Sequence, residues 1–231
     1  MAGRKNFVSG SILTASDVNS FLMDQSVMVF DDSAARGSAI PTPSEGMVTY
    51  RKDLGGASGL EVFDGSAFGP VGTILQVAQT VKTNVFSTTS TSFVDVTGLS
   101  VSITPASTQS KVLVLADVVF NEKGDFEDDS AHVRIQRNST VVYVGDAEGS
   151  RTPALGVNMT RAGSVTQRIA SFRTGVFLDL PNTVSSITYK IQAMSLGSGN
   201  RTAFINRSGQ DVNAARYGRF ASSITVMEVA G

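Results

Sequence analysis

The stretch Lys111-Val-Leu-Val-Leu-Ala-Asp-Val-Val-Phe120 lies near the middle of this 231-residue chain and decides its fold. Nearly every residue in it is apolar and many are β-branched, which favours a β-strand. A strand with apolar residues at both alternating sets of positions is expected to be covered on both faces. We expect the facing sheet to cover one face and a neighbouring subunit the other, with Val112, Val114 and Val118 at the subunit interface.

The sequence on both sides of this strand has the same character. Short β-branched runs with a period of two alternate with turns rich in Gly, Asn, Ser and Asp. The predicted strands are residues 74–81, 93–96, 99–104, 111–120, 132–136, 141–144, 168–172, 175–178, 187–192, 202–205 and 223–229. Such a series predicts a mainly β chain, with a jelly-roll-like antiparallel β-sandwich over residues 71–231. A lectin-like or immunoglobulin-like sandwich is the less favoured alternative.

Residues 1–70 follow a different pattern. Thr14-Ala-Ser-Asp17 matches a capping box, which predicts the start of a helix. Apolar residues then recur at helical spacing as far as Met28, although residues 27–30 would also suit a strand. Residues 46–50 and 59–63 predict a β-hairpin.

This front module is too small to bury a core of its own. A two-stranded hairpin is marginally stable in water, and one short helix gives it little cover. We therefore expect the module to need neighbouring copies or another protein.

Five segments of the front module carry a resemblance to a known class of protein. They are residues 10–19, 27–30, 34–36, 41–47 and 60–65. Over about residues 7–68 the chain resembles the attachment module at the front of many bacteriophage virion proteins, particularly tail-fibre and minor structural proteins. A weaker resemblance, to phage β-sandwich appendage domains, runs from Gly72 to the end.

The resemblance implies a virion component, made and assembled in the cytoplasm of a bacterial host. Residues 1–70 would anchor it to other phage structural proteins of the tail or baseplate, or of the capsid, while residues 71–231 project. The implied attachment residues are Val18, Phe21, Leu22, Met28 and Phe30. A fibre-like homotrimer is favoured over two or five copies. A tail fibre is the preferred assignment, and a capsid decoration or head-fibre protein is the alternative.

Composition narrows the classes of partner. With 19 basic and 20 acidic residues, the chain shows no excess of positive charge, and we expect no nucleic-acid partner. Cysteine is absent, which removes disulfides, thiolate nucleophiles and the usual zinc sites. No apolar run approaches the roughly 20 residues that span a bilayer, so we expect no membrane insertion.

The sequence gives little support to an enzyme. His132 is the only histidine, and no Gly-x-Ser-x-Gly motif is present, so a hydrolase triad is not expected. Residues 122–129 group five carboxylates that could offer oxygen ligands to calcium, but their spacing does not fit a calcium loop and we favour a solvated loop. Carboxylate pairs for glycoside hydrolysis can be drawn from almost any protein of this size. We expect no catalytic residue, no metal and no cofactor.

A host surface glycan is a further candidate partner. Two loops combine small residues with polar donors, a composition that suits a shallow sugar site. The candidate residues in them are Asp146, Arg151, Asn200 and Arg201. This reading makes the chain a receptor-recognition module, whereas contacts between subunits are the alternative use of the many arginines.

Overall fold

The computed structural model describes residues 9–10, 12, 14–18, 27–54, 59–71, 74–124, 126, 128–159, 171–215 and 217–230. The chain divides into two compact units, Met1–Leu75 and Gln76–Gly231. Strands predominate in both, which confirms the mainly β fold class.

The first unit contains a four-stranded sheet in the order β1-β2-β3-β4. Its strands are β1 (Met28–Phe30), β2 (Val48–Arg51), β3 (Leu60–Phe63) and β4 (Phe68–Pro70), and its helices are α1 (Ala15–Val18) and α2 (Ser33–Ala39). The strands β2 and β3 are the predicted antiparallel hairpin, whereas β1 pairs with β2 in parallel. The hairpin is therefore extended on both sides, which the sequence analysis did not foresee.

The predicted front helix is seen only at its start. The Val18 amide donates to the Thr14 carbonyl at 3.0 Å, as expected for a helix that begins after Thr14. Residues 19–26, which include Phe21 and Leu22, lie outside the described residues. Met28 lies in strand β1, so the helical spacing does not extend to it.

A charged cluster lies inside the first unit. Among its described residues, Met47 is the only one with a large apolar side chain that is buried. The charged Glu61 is buried as well. The Glu61 carboxylate contacts Arg36, and it accepts from Arg51 Nη1 at 3.5 Å. The Arg36 guanidinium also lies 4.1 Å from the centre of the Phe68 ring. Ion pairs and a cation–π contact thus hold together a unit with little apolar core.

The second unit is a sandwich of two antiparallel sheets. The first, which we call the β8 sheet, contains β5 (Ile74–Lys82), β6 (Phe86–Thr88), β8 (Lys111–Lys123), β12 (Ser171–Asp179), β14 (Thr202–Ile205) and β15 (Ser222–Val229). The second, which we call the β9 sheet, contains β7 (Val94–Ile103), β9 (Ser130–Arg137), β10 (Thr140–Val142), β11 (Gly156–Met159) and β13 (Ile187–Leu196).

The strand order is that of a jelly roll. On one edge of β8, β15 and then β14 pair in succession, and β12 pairs along the other edge. On β9, β10 and β11 share one edge, and β13 pairs along the other. Three pairs of strands share an edge and can each be counted as one strand: β5 with β6, β10 with β11, and β14 with β15. The resulting eight strands, numbered in chain order, are arranged 1-8-3-6 in the β8 sheet and 2-7-4-5 in the β9 sheet. The first strand thus lies beside the last, as the predicted fold class requires.

The core lies between the two sheets. Alternate residues of β8 point into it, and Val112, Val114, Ala116, Val118 and Phe120 are all fully buried. From the β9 sheet, Tyr189, Leu99 and Ile135 are among the largest side chains that meet them. The period of two in the sequence therefore reflects the alternation of side chains between the core and the outer side of each sheet.

Several details differ from the predicted strands, among them that residues 171–179 form one strand, β12, where two short runs were predicted. Residues 93–96 and 99–104 belong to one strand, β7, whose register with β13 shifts between Lys190 and Gln192. Gly98 there has a φ of +79°, a conformation that glycine adopts readily and that made the two runs look separate. The short strands β6 and β11 were not predicted.

Candidate functional site

The outer side of the β8 sheet is the most distinctive surface of the second unit. Strand alternation places residues with odd numbers on the outer side of β5, β8 and β15, and residues with even numbers on the outer side of β12. Pairing sets Val176 opposite Leu115, Leu178 opposite Leu113 and Met227 opposite Leu113. We call this surface the apolar face; its residues are Val77, Val81, Leu113, Leu115, Phe172, Val176, Leu178, Met227 and Val229.

The apolar face is open to solvent in the single chain. The exposed fraction is 57% for Val77, 49% for Val176 and 50% for Leu178, while Leu113 and Leu115 are half-buried between their neighbours. Exposed apolar residues scattered singly are ordinary, but a contiguous set on one sheet marks a surface that meets another apolar surface.

Two pairs of polar side chains on the outer side of this sheet form hydrogen bonds with each other. Gln79 Nε2 donates to Thr225 Oγ1 at 2.7 Å, across β5 and β15. Thr174 Oγ1 donates to Asp117 Oδ1 at 3.3 Å, across β12 and β8. One donor or acceptor of each of these side chains is engaged within the sheet, and the rows through Leu113 and Leu115 between them present apolar groups.

The outer side of the β9 sheet is different in character. Asp95 there accepts from Lys190 Nζ at 2.8 Å and from Gln192 Nε2 at 2.7 Å, and Gln192 Oε1 accepts from Arg134 Nε at 2.8 Å. These hydrogen bonds, first from Lys190 and then from Gln192, hold the pKa of Asp95 below its usual range. This side is a charged, hydrogen-bonded surface, so the two outer sides of the sandwich are suited to different surroundings.

The residues expected at a subunit interface lie elsewhere. Val112, Val114 and Val118 belong to the sandwich core and have no exposed surface, so they cannot contact a second chain in this fold. The expectation that β8 is apolar on both sides was reasonable, but the outer set is Leu113 and Leu115. Sequence reasoning also missed Val176 and Leu178, whose signal was the run Gly175-Val-Phe-Leu178 beside an apolar strand.

His132 is a buried residue on the outer side of β9. Its Nε2 lies 2.9 Å from Ser130 Oγ, and its exposed fraction is 8%. Burial lowers the pKa of the imidazole, which favours the neutral ring. Among the contacts of the described residues, no carboxylate hydrogen bond orients this imidazole as a base.

The acidic loop between β8 and β9 is organised by its own hydrogen bonds. Asp129 Oδ1 accepts from the Gly199 amide at 3.1 Å, and its Oδ2 accepts from the Phe126 amide at 3.0 Å. Asp128 Oδ2 accepts from Ser198 Oγ at 2.6 Å, so the loop is tied to the β13–β14 loop. Asp125 and Glu127 lie outside the described residues. In the part of the chain that the structure describes, no three His, Asp or Glu side chains are grouped so as to hold a metal ion.

The candidate glycan residues do not form one site. Asn200 and Arg201 follow β13 at the end where Leu196 pairs with Ser130, and they line a cleft of about 370 Å³ with Lys123. Asp146 and Arg151 belong to the loop between β10 and β11. This loop begins after Val142, which pairs with Ile135 of β9, and ends at Gly156, which pairs with Val133 of β9. Arg201 is also engaged within its loop, since Nε donates to the Ser195 carbonyl at 3.2 Å.

The candidate attachment residues are only partly described. Val18 is half-buried in α1, and Met28 and Phe30 are half-buried on β1. Val29, between them, is 57% exposed, so Met28 and Phe30 share the more covered side of that strand. Phe21 and Leu22 lie outside the described residues, and the attachment role of all five stays a prediction.

The described residues include no helix that is both long and apolar enough to cross a membrane.

Comparisons with known proteins give only distant similarity. No family model matches the chain, and no curated protein matches it at a significant level. Among solved structures, the VP2 subviral particle of infectious bursal disease virus matches with a TM-score of 0.36 and 12% identity, over 76% of this chain and 45% of that one. The Gt strain of the same virus gives 0.34 and 13% over 87% and 58%, and the Gx strain gives 0.32 and 13% over 72% and 42%. The chain thus spans about half the length of these structures, and similarity at this level does not indicate a shared function.

Proposed function

We propose that this chain is a non-enzymatic structural protein of a bacteriophage virion, present as a homotrimer in the tail or its fibre assembly. The observation that carries the proposal is the apolar face, an exposed set of apolar residues on the outer side of the β8 sheet. Such a surface suits a protein whose working state is an assembly. The resemblance of residues 7–68 to phage attachment modules supplies the kind of assembly.

The first unit is proposed as the anchor. Its described interior rests on an ion-pair cluster around Glu61 and holds little apolar material, as expected of a unit completed by a neighbour. Val18, Phe21, Leu22, Met28 and Phe30 are the proposed contacts with other structural proteins of the particle.

Gold-labelled antibodies against the full chain, applied to intact particles, test the placement. Label on the tail is the expected result. Label confined to the head would overturn the tail assignment in favour of a capsid decoration or head-fibre protein. Particles that carry no label would overturn the virion role itself.

The anchor is tested by charge substitution on β1 in the full chain. Met28→Asp is expected to reduce incorporation into particles, while the matched control Val29→Asp, on the exposed side of the same strand, is expected to incorporate normally. Equal incorporation of both variants would remove Met28 from the attachment surface.

Recognition of a host glycan is the second candidate function. The cleft beside Asn200 and Arg201 favours it, because a shallow site with a lysine, an amide and an arginine offers donors to sugar hydroxyls. Purified protein that binds host cells and blocks infection would support this role. Loss of that binding in Asn200→Ala, with Arg151→Ala unaffected, would place the site at this cleft.

A further inference from the structure

We propose that the apolar face is the surface through which neighbouring copies of this chain contact one another. The inference rests on the proposed homo-oligomer and adds the surface that builds it. It moves the expected contact from Val112, Val114 and Val118 to the other side of the same strand.

The flat footprint of the face is at the small end of contacts between proteins. Four strands at a spacing of about 4.8 Å make it about 19 Å wide, and six residue steps along β12 make it about 20 Å long. This flat footprint of about 400 Å² per copy gives about 800 Å² for two copies, before the relief of the side chains is counted. Leu180, which follows β12 and is 56% exposed, extends the face toward the roughly 1,200 Å² that a stable interface buries.

The chemistry of the face excludes ligands that need polar recognition at its centre. Nucleic acids and polysaccharides are bound through cations and hydrogen-bonding groups. Here Gln79 donates a hydrogen bond to Thr225, and Asp117 accepts one from Thr174. What remains is branched aliphatic surface, which gains free energy by meeting a surface of the same kind.

A second copy is the occupant that this arrangement favours. Every copy carries the same aliphatic rows around Leu113 and Leu115, so contact between copies brings apolar surface to apolar surface there, while the exposed Asp117 carboxylate stays at the margin of the contact. The outer side of the β9 sheet could not serve in this way, because Asp95, Lys190 and Arg134 would have to leave water. Leu113 and Leu115 are already covered from the sides by β12 and β15, so a neighbour needs only to close the top of the sheet.

Charge substitutions in the full chain test the proposal through the mass in solution. Leu115→Asp and Val176→Asp each place a carboxylate in the middle of the face, and they are expected to convert the oligomer into single folded chains. The matched control is Ser100→Asp, which adds the same charge on an exposed position of the β9 sheet and is expected to leave the oligomer intact. Because Val176 is half exposed, its substitution is expected to preserve the circular dichroism of the native fold.

A thiol probe supplies an independent measurement. The chain has no cysteine, so a single introduced thiol reports on one position only. The thiol of Val176→Cys is expected to be modified about tenfold more slowly than that of Ser100→Cys, because a covered site is reached only when the assembly opens. Adding Leu115→Asp to the Val176→Cys variant should remove this protection.

The outcomes separate the surface from the oligomer and from the virion role. An oligomer that persists in both aspartate variants overturns the proposed surface but leaves the oligomer standing. A wild-type chain that is monomeric at micromolar concentration, with Val176→Cys as reactive as Ser100→Cys, overturns both. If the thiol of Val176→Cys is modified slowly only when the protein is part of a particle, and not in the purified protein, the face contacts a different structural protein. That result would overturn the inference and retain the virion role.

Discussion

The Tyr189 hydroxyl on β13 donates a hydrogen bond of 2.5 Å to Asp179 Oδ2 at the end of β12. Arg137 Nη1 lies 2.6 Å from the same carboxylate oxygen. Since β12 belongs to the β8 sheet and β13 to the β9 sheet, this carboxylate joins the two sheets at one end of the sandwich. Tyr189 is fully buried, so the bond is made in a place where losing it costs free energy.

Tyr189→Phe is expected to lower the free energy of unfolding by about 1–2 kcal/mol, because one hydrogen bond to a partly buried carboxylate is removed. Urea denaturation of the full chain measures the change. Tyr143→Phe, at a position that is 47% exposed, is the matched control and should change stability by less than about 0.5 kcal/mol. Equal effects of the two variants would mean that the bond across the sheets contributes little.

Stability is expected to fall as the pH rises above 10.0, the ordinary pKa of tyrosine. Burial, and then the hydrogen bond and charge of Asp179, raise the pKa of Tyr189 far above that value. Above pH 10.0 the unfolded chain loses this phenolic proton while the native chain keeps it, so the native state is progressively disfavoured. The fall should be shallower in Tyr189→Phe, and the same slope in both proteins would contradict the assignment.

At the acid side, stability is expected to decline as the pH falls below 6.5, the ordinary pKa of histidine. Burial lowers the pKa of His132, so the unfolded chain takes up a proton before the native chain does. The stabilisation is fully present above pH 6.5 and is lost as the pH falls toward the lower native pKa. Because His132 is the only histidine, His132→Gln should flatten the profile between about pH 6.5 and 5.5, above the range of ordinary carboxylates.

Val114→Asp is expected to prevent folding, with a loss of more than about 4 kcal/mol, because an unpaired carboxylate would be buried between the sheets. Thermal melting followed by circular dichroism measures it. Val176→Asp, on the outer side of the same sheet, is the control that should retain a cooperative melt. A wild-type melting curve for Val114→Asp would show that the assigned sides of β8 are reversed.

Glu61→Ala is expected to loosen the first unit, because Arg36 and Arg51 would lose the buried carboxylate between them. Removal of one partner from a buried ion pair costs about 3–5 kcal/mol. Hydrogen exchange in the full chain should show faster exchange for amides of β2 and β3, with those of β8 unchanged as an internal control. Faster exchange in both units, or in neither, would contradict a local role of Glu61.

The sequence alone determined most of the long strands of the sandwich. A strand that is buried on one side alternates apolar and polar residues, and this alternation is visible in the sequence. The run at 187–192 was recognisable for this reason, and the run at 111–120 was recognisable because nearly all of its residues are apolar and many are β-branched. The jelly-roll-like class follows from a series of such strands. The hairpin of the first unit was also predictable, since its two strands are adjacent in the chain. The short strands β6 and β11 were not, because their pairing depends on partners far away in sequence.

Only the tertiary structure decided which side of β8 faces the core. Both sets of alternate residues are apolar, so Val114 and Leu115 were equivalent as sequence, and the choice depends on how the β9 sheet packs against β8. The apolar face has the same origin, because Val77, Leu115, Val176 and Met227 come from four distant segments and become neighbours only through pairing. Local pattern is a property of neighbours in the chain, whereas a surface is a property of neighbours in space.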